Sequence, residues 1–534
     1  MRLPKSLLLV FITFSLASGV SAHEEHRHSS GNPEKVGTVH FPISCKAEVR
    51  QPFERAVALL HSFWFEEAGK GFTAVTETDP DCAMGYWGVA MSKWYPLWEH
   101  PSEAMLKQGA AAVEKAKAVG AKTDRERDYI AAIGAFYQDA DKLDHRTRAL
   151  AYEKAMEQMY LRYPQDREAA AFYALALDAT ALPSDKTYAN QKKAGAILEK
   201  IFAEEPDHPG VAHYIIHSYD SPSLASRALP AARSYAQIAP SVPHALHMPS
   251  HIFTQLGLWQ ESIESNRASA AAAKDHALWR DRLHAMQYLE YAYLQSGQEA
   301  EAKGVLDELN AMGEAESANL GTAHAFAMIP ALYTLERRQW SEAASLRPRS
   351  GGSPHAEAII YFARAIGSAR SGNTAQARAD VEKLQSIREA MSQTTEKYSP
   401  DGVEVQRRAA AAWLALAEGK NEEALRLMRS AADLEDASGA IATMATPLLP
   451  AHELLGDLLL ELNEPAQALG EFETALQLSP HRFNGLSGAA RAAQLAGGPE
   501  KARAYYAQLV SQCDHADGAR AELTEARTFL AKAL

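Results

Sequence analysis

Small residues recur along this chain at the interval of one helical hairpin, and this spacing constrains the fold more than any other feature. Ala194 to Ala228, Ala343 to Ala377 and Ala468 to Ala502 are each 34 residues apart. The best-formed unit, LLGDLLLELNEPAQALGEFETALQLSP at 454–480, places Leu455, Gly456 and Leu459 on a first helix and Ala468, Phe472 and Ala475 on a second, with Pro480 at its end. Small residues let two helices approach closely, a bulky residue four positions later fills the space between hairpins, and proline stops the helix. The same frame fits Ala68, Phe72 and Pro80, then Ala194, Leu198 and Pro206, then Ala228 and Pro240; Ala302 and Ala424 also occupy its small position. One hairpin cannot bury its apolar face alone, whereas stacked neighbours share a continuous core. The spacing therefore predicts an all-α solenoid of about ten or eleven helical hairpins from about residue 45 to 530, least regular at 100–150.

The whole chain has 534 residues, of which 47% are apolar and 23% charged, an ordinary composition for a globular protein. Its formal charge of −13 repels phosphate backbones, so nucleic-acid binding lacks its electrostatic drive. Linkers at 347–354 and 397–402 are short and read as inter-repeat loops. We expect a repeat segment at 45–345, continued by repeats at 346–534.

Residues 1–22 read as a cleavable signal peptide: Arg2 and Lys5 precede an apolar run from Leu7 to Leu16, and Val20-Ser21-Ala22 supplies a small-residue cleavage site. No second apolar stretch is long enough to span a bilayer. The expected location is periplasmic or secreted. Residues 23–44, with His23, His26 and His28, read as a flexible segment. In an oxidising compartment Cys45 and Cys82, which bracket the first hairpin, are expected disulfide partners, leaving Cys513 free.

The frame is similar to the tetratricopeptide repeat (TPR). Beyond it, LLHSFWFEEAGKGF at 59–72, DPDCAMGYWGVAM at 79–91, HYIIHSYDSP at 213–222, HALHMPSHIF at 244–253 and PAHELLGDLLLEL at 450–462 resemble a group of exported bacterial TPR proteins. The resemblance implies the fold and no substrate. It also implies that the second, fifth, ninth, twelfth and thirteenth positions of each repeat line a concave groove.

In that register His213, His217 and Asp220 are groove positions five, nine and twelve of one repeat, and His244, His247 and His251 are two, five and nine of the next. His213 to His247 and His217 to His251 are both 34 residues. The following repeat offers His284, Gln287 and Tyr291. Residues four apart share a helix face, and stacked helices lie roughly 10 Å apart, so these imidazoles are expected to converge. Neutral imidazoles suit copper, iron or zinc and are too nitrogen-rich for calcium or magnesium. Pro249 would break a helix interior, so the helix is expected to begin near Met248, with His244 and His247 in the preceding loop.

His213, His217, His247 and His251 are thus the expected metal ligands, with His244 and His284 completing one or two sites. Asp220 and Tyr291 are candidate acid–base groups, and Tyr219 and Tyr288 candidate neighbours. His61 is groove-facing but expected to be remote; His324, His355 and His452 fall off the groove. The chain carries no phosphate loop, GxSxG elbow or HExxH motif. These features predict an exported metal-binding TPR protein, oxidative or hydrolytic if it is an enzyme. The alternatives are a scaffold holding a peptide, protein or small molecule in its groove, and metal storage or delivery.

Overall fold

The computed structural model describes residues 34–98, 100–312, 320–349, 352–393, 400–438, 446–518 and 520–532. The expected leader and His23, His26 and His28 lie outside them. Residues from Lys35 onward form one compact unit. Among the described residues there is no strand, and no helix is long and apolar enough to cross a membrane.

Helices pair in chain order. The first five hairpins are α1 (Arg50–His61) with α2 (Phe65–Thr78), α3 (Ala83–Met91) with α4 (Glu103–Val119), α5 (Asp124–Tyr137) with α6 (His145–Arg162), α7 (Arg167–Thr180) with α8 (Ala189–Glu204), and α9 (Pro209–Ser218) with α10 (Ala225–Ile238). Two short helices, α11 (Pro243–His247) and α12 (Pro249–Gln255), together form the first limb of the sixth hairpin against α13 (Trp259–Asp275). Beyond it, α14 (Trp279–Gln295) pairs with α15 (Glu299–Ala311), α16 (Leu320–Glu336) with α17 (Trp340–Ala344), and α18 (Pro354–Arg370) with α19 (Thr374–Met391). Then α20 (Pro400–Ala417) pairs with α21 (Asn421–Ser438), α22 (Ala451–Glu461) with α23 (Pro465–Leu478), and α24 (Phe483–Leu495) with α25 (Pro499–Gln512); α26 (Ala521–Ala531) caps the stack.

Every alanine that the repeat frame places at the close-approach position is fully buried: Ala68, Ala194, Ala228, Ala302, Ala343, Ala377, Ala424, Ala468 and Ala502, with Ser262 taking that place in the sixth hairpin. The architecture is a TPR-type α-solenoid. The twelve hairpins among the described residues exceed the expected number because 100–150 adds helices whose ends are set by caps rather than by the frame. Ser102, the Thr123–Glu126 capping box and Asp144 start α4, α5 and α6.

Two expectations need correction. From Lys35 the supposed flexible segment is ordered: Val36, Val39, Phe41 and Ile43 are buried, Thr38 N–H donates to the Asp207 carbonyl, and Lys35 N–H donates to Ser241 Oγ. The buried apolar core divides near Trp259 and again near Phe483. Met248 keeps helical dihedrals (φ −54°, ψ −35°), so His244 and His247 lie on α11 rather than in a loop. The ring of Pro249 sits in the first turn of α12, where proline needs no N–H donor.

The later repeats fold back on the middle of the chain. Buried Arg482, just before α24, donates to both Glu453 oxygens at 2.8 and 2.9 Å, to Glu336 at 2.7 Å and to the Tyr291 hydroxyl at 3.2 Å. Phe483 N–H donates to Gln295 Oε1 across the same seam.

Cys45 and Cys82 form a disulfide that ties the segment before α1 to the start of α3. Its sequence separation is 37 residues, and closing such a loop in the unfolded chain is worth about 3–4 kcal/mol. Replacing both cysteines by alanine should lower the thermal midpoint, measured by circular dichroism, without changing helix content.

Candidate metal centre

The six histidines do not meet at one point. They form two groups of three, each drawn from two neighbouring hairpins: His213, His217 and His244, then His247, His251 and His284. In the first, His213 Nε2 lies 2.9 Å from His217 Nε2 and 3.1 Å from His244 Nε2. In the second, His247 Nε2 and His251 Nε2 are 3.0 Å apart, and the His284 ring centroid is 4.5 Å from that of His247. The four-residue spacing within α9 and across α11–α12 places two rings of each group on one face. The third ring comes from the next hairpin, His244 from α11 and His284 from α14.

What faces the other ring nitrogen decides what these groups can do. His213 Nδ1–H donates to the His61 carbonyl at 2.6 Å. His247 Nδ1–H donates to Asn266 Oδ1 at 2.7 Å, and the Asn266 amide is oriented by its own donation to the Ser262 carbonyl at 2.8 Å. His251 Nδ1–H donates to Asp220 Oδ2 at 2.7 Å, with the Tyr288 hydroxyl 3.3 Å away. Each partner accepts, so each Nδ1 carries the proton and each Nε2 of the neutral ring carries a lone pair. With both rings neutral, the lone pairs of His247 Nε2 and His251 Nε2 face each other. A cation is what such an arrangement accommodates, and an oxygen acceptor behind each ligating imidazole is the usual outer support of a metal site.

A proton is a poor substitute. Burial pushes the pKa of His213 and of His247 down to about 3, and it drives His217 and His244 well below the ordinary histidine value. Neighbouring histidines add to this, as does Arg280 at His244. Water still reaches the groups: His217 and His244 are half-buried and His284 is exposed.

Aromatic rings wall the first group. Phe63 holds a left-handed backbone (φ 56°), costly for a bulky residue, and its ring lies 4.5 Å from that of His213 and stacks on His217 at 5.5 Å. Trp98, half of it exposed, stands edge to face with His217 at 4.8 Å. In the second group Tyr288 lies 4.8 Å from both His247 and His251.

Asp220 therefore orients His251. Tyr291, expected as an acid–base group, is not in the site: it is buried beside Trp259 and its hydroxyl meets Arg482. Its face of α14 is covered by the returning C-terminal repeats. Tyr219 also lies apart, donating to Glu199. His61, expected to be remote, lies directly behind His213, because α1 packs against α9 where Gly210 leaves room; a Cβ there would meet His61 Nδ1 at 2.3 Å. Sequence reasoning missed Asn266, although polar Ser262 and Asn266 in the small and bulky positions of one frame are a legible anomaly.

Two other clusters have metal-like composition, and their bonding leaves no place for an ion. Glu168 accepts from His61 Nε2 at 2.8 Å and from His208 Nε2 at 2.9 Å. Val211 N–H donates to His208 Nδ1, and His61 Nδ1 is taken by the Tyr214 hydroxyl. The nitrogens facing Glu168 thus carry protons rather than lone pairs. Burial works to raise the Glu168 pKa, but the two histidines hold the carboxylate well below its ordinary range. Cys45, Asp79 and Cys82 are closed by the disulfide.

No family model and no curated protein matches this chain. Among solved structures it is similar to human IFIT1 with m7Gppp-AAAA, at 12% identity over 80% of this chain and 90% of that one, with a TM-score of 0.38. A tetratricopeptide repeat protein from Parabacteroides merdae shares 14% identity over 55% and 98%, with a TM-score of 0.29. The Naa15/Naa10 assembly bound to HypK-THB shares 14% over 91% and 74%, with a TM-score of 0.25. Overlays this loose leave what those proteins bind with those proteins.

The hydrogen-bond pattern fixes tautomers. In metal-free protein at neutral pH, nitrogen-15 NMR of labelled histidine should find His213, His247 and His251 protonated at Nδ1. Nε2–H tautomers at His247 or His251 would refute the facing lone pairs.

Proposed function

We propose that this chain is an exported metalloprotein, each three-histidine group holding one transition-metal ion through its Nε2 atoms. The facing lone pairs of His247 and His251, 3.0 Å apart with oxygen acceptors behind both rings, carry the reading. His213, His217 and His244 would hold the other ion. Copper, zinc and iron all accept imidazole, and three protein ligands leave a position open for water, dioxygen or a substrate. An ion so held can act as a Lewis acid, lower the pKa of bound water or exchange electrons. This chain's own residues would contribute orientation and access. The His61 carbonyl, Asn266 and Asp220 fix the rings, Phe63 and Trp98 wall the first group with apolar surface, and exposed His284 admits solvent to the second. The Cys45–Cys82 disulfide supports an oxidising compartment, periplasmic or secreted.

A TPR-type fold supports a binding or scaffold role for a peptide or protein by itself. Storage or delivery of metal would use the same ligands without turnover. Metal analysis separates these readings. After reconstitution with copper, zinc or iron and desalting, wild-type protein should retain two equivalents of one ion. H213A/H217A and H247A/H251A should each retain one with unchanged helix content, and the fourfold variant none. A wild-type protein that retains no ion under any reconstitution is a scaffold. Loaded protein that turns over no substrate is a store or carrier.

The support behind the rings yields a finer expectation. Removing the acceptor of His247 with N266A should weaken metal binding at the second group about 10–100-fold and leave the first unchanged. Competition with a chromogenic chelator measures both.

A further inference from the structure

The two groups share one short helix. His244 of the first and His247 of the second are three residues apart along α11, with ring centroids 6.4 Å apart. Residues so spaced carry Cβ atoms about 5–6 Å apart, and an ion sits about 2 Å from an imidazole nitrogen. Ions in the two groups would therefore be close neighbours in a partly buried site, where charge repulsion is weakly screened.

All six ligands are neutral. Among the described residues no carboxylate joins either group. The nearest, Asp220, is engaged by His251 Nδ1, and Glu168 is engaged by two other histidines. Paired divalent ions would repel one another about four times as strongly as paired monovalent ions at the same separation, with no anionic ligand between them to offset it. Of the metals that imidazole suits, copper is the one with an accessible monovalent state.

Resting on the metal-binding reading above, we propose that the two groups form a single dinuclear copper unit, loaded as copper(I), that delivers two electrons to dioxygen. Each copper(I) gives up one electron and becomes copper(II). Dioxygen accepts both electrons together with two protons from solvent, its O–O bond order falls to one, two O–H bonds form, and hydrogen peroxide leaves. Solvent reaches the unit at His217, His244 and His284. The charge that accumulates on oxidation makes the copper(II) pair the less stable form, which favours transfer to the acceptor.

The whole chain tests this. Loaded anaerobically with copper(I), it should bind two ions. On admission of air it should consume one dioxygen per pair, and the resulting copper(II) should give no electron paramagnetic resonance signal, because neighbouring spins couple. H251A/H284A, which leaves the first group intact, should bind one copper(I), lose rapid dioxygen uptake and, once oxidised with ferricyanide, show a full, uncoupled copper(II) signal. The mirror variant H217A/H244A should behave alike, so a folding defect in one does not decide the matter. Two ions with full, uncoupled signals in wild type would overturn the dinuclear unit while leaving metal binding intact. So would two zinc(II) ions that excess copper(I) does not displace. Failure to retain any ion would overturn both readings.

Discussion

The close approach of two helices at one small residue per hairpin is the constraint on which the rest of this molecule depends. The alanines at that position, from Ala68 to Ala502, are fully buried, and their small side chains let each second helix nest against its first. Stacking then repeats at the sequence period. It is this repetition that carries the pair His213/His217 into the neighbourhood of the pair His247/His251. In the sixth hairpin the small position is Ser262 and the bulky one Asn266. That exchange costs apolar packing but supplies the oriented amide that holds His247.

Hydrogen bonding separates the proposed ion sites from a look-alike. Glu168 with His61 and His208 has the composition of a metal cluster, yet every ring nitrogen has a complementary protein partner. That network locks α1, α7 and α9 together. In the two three-histidine groups the Nδ1 protons of His213, His247 and His251 are drawn to outer acceptors, which turns their Nε2 atoms inward. The two arrangements meet at His61, whose side chain belongs to the first and whose carbonyl supports the second. Rigid support of this kind is what a metal ligand needs to hold its direction without rearrangement.

Curvature supplies what no single hairpin has. The return of α1 onto α9 brings Phe63, in its left-handed conformation, over the first group, and the ordered segment from Lys35 seals the same junction. On the other side, Arg482 with Glu336 and Glu453 anchors the late repeats to α14 and α16. A buried charge cluster of this kind adds little net stability over an apolar one but penalises any other docking of the repeats. It also explains why Tyr291, on the same helix as His284, serves packing rather than the site.

Much of this was legible in the amino-acid order, because hairpin period and four-residue histidine spacing are local properties of a helix. The all-α solenoid and the proximity of His213, His217, His244, His247, His251 and His284 follow from them, and the Cys45–Cys82 pair from its place around the first hairpin. The irregular stretch at 100–150 hid its hairpins because caps rather than small residues set their ends. Pro249 suggested a loop where the chain keeps helical dihedrals through Met248. The division of six histidines into two threes, the acceptors behind His213, His247 and His251, the nearness of His61 and the loss of Tyr291 to the core were decided only in three dimensions. Each depends on the accumulated angle between many stacked hairpins, a sum of small packing rotations that no local spacing records.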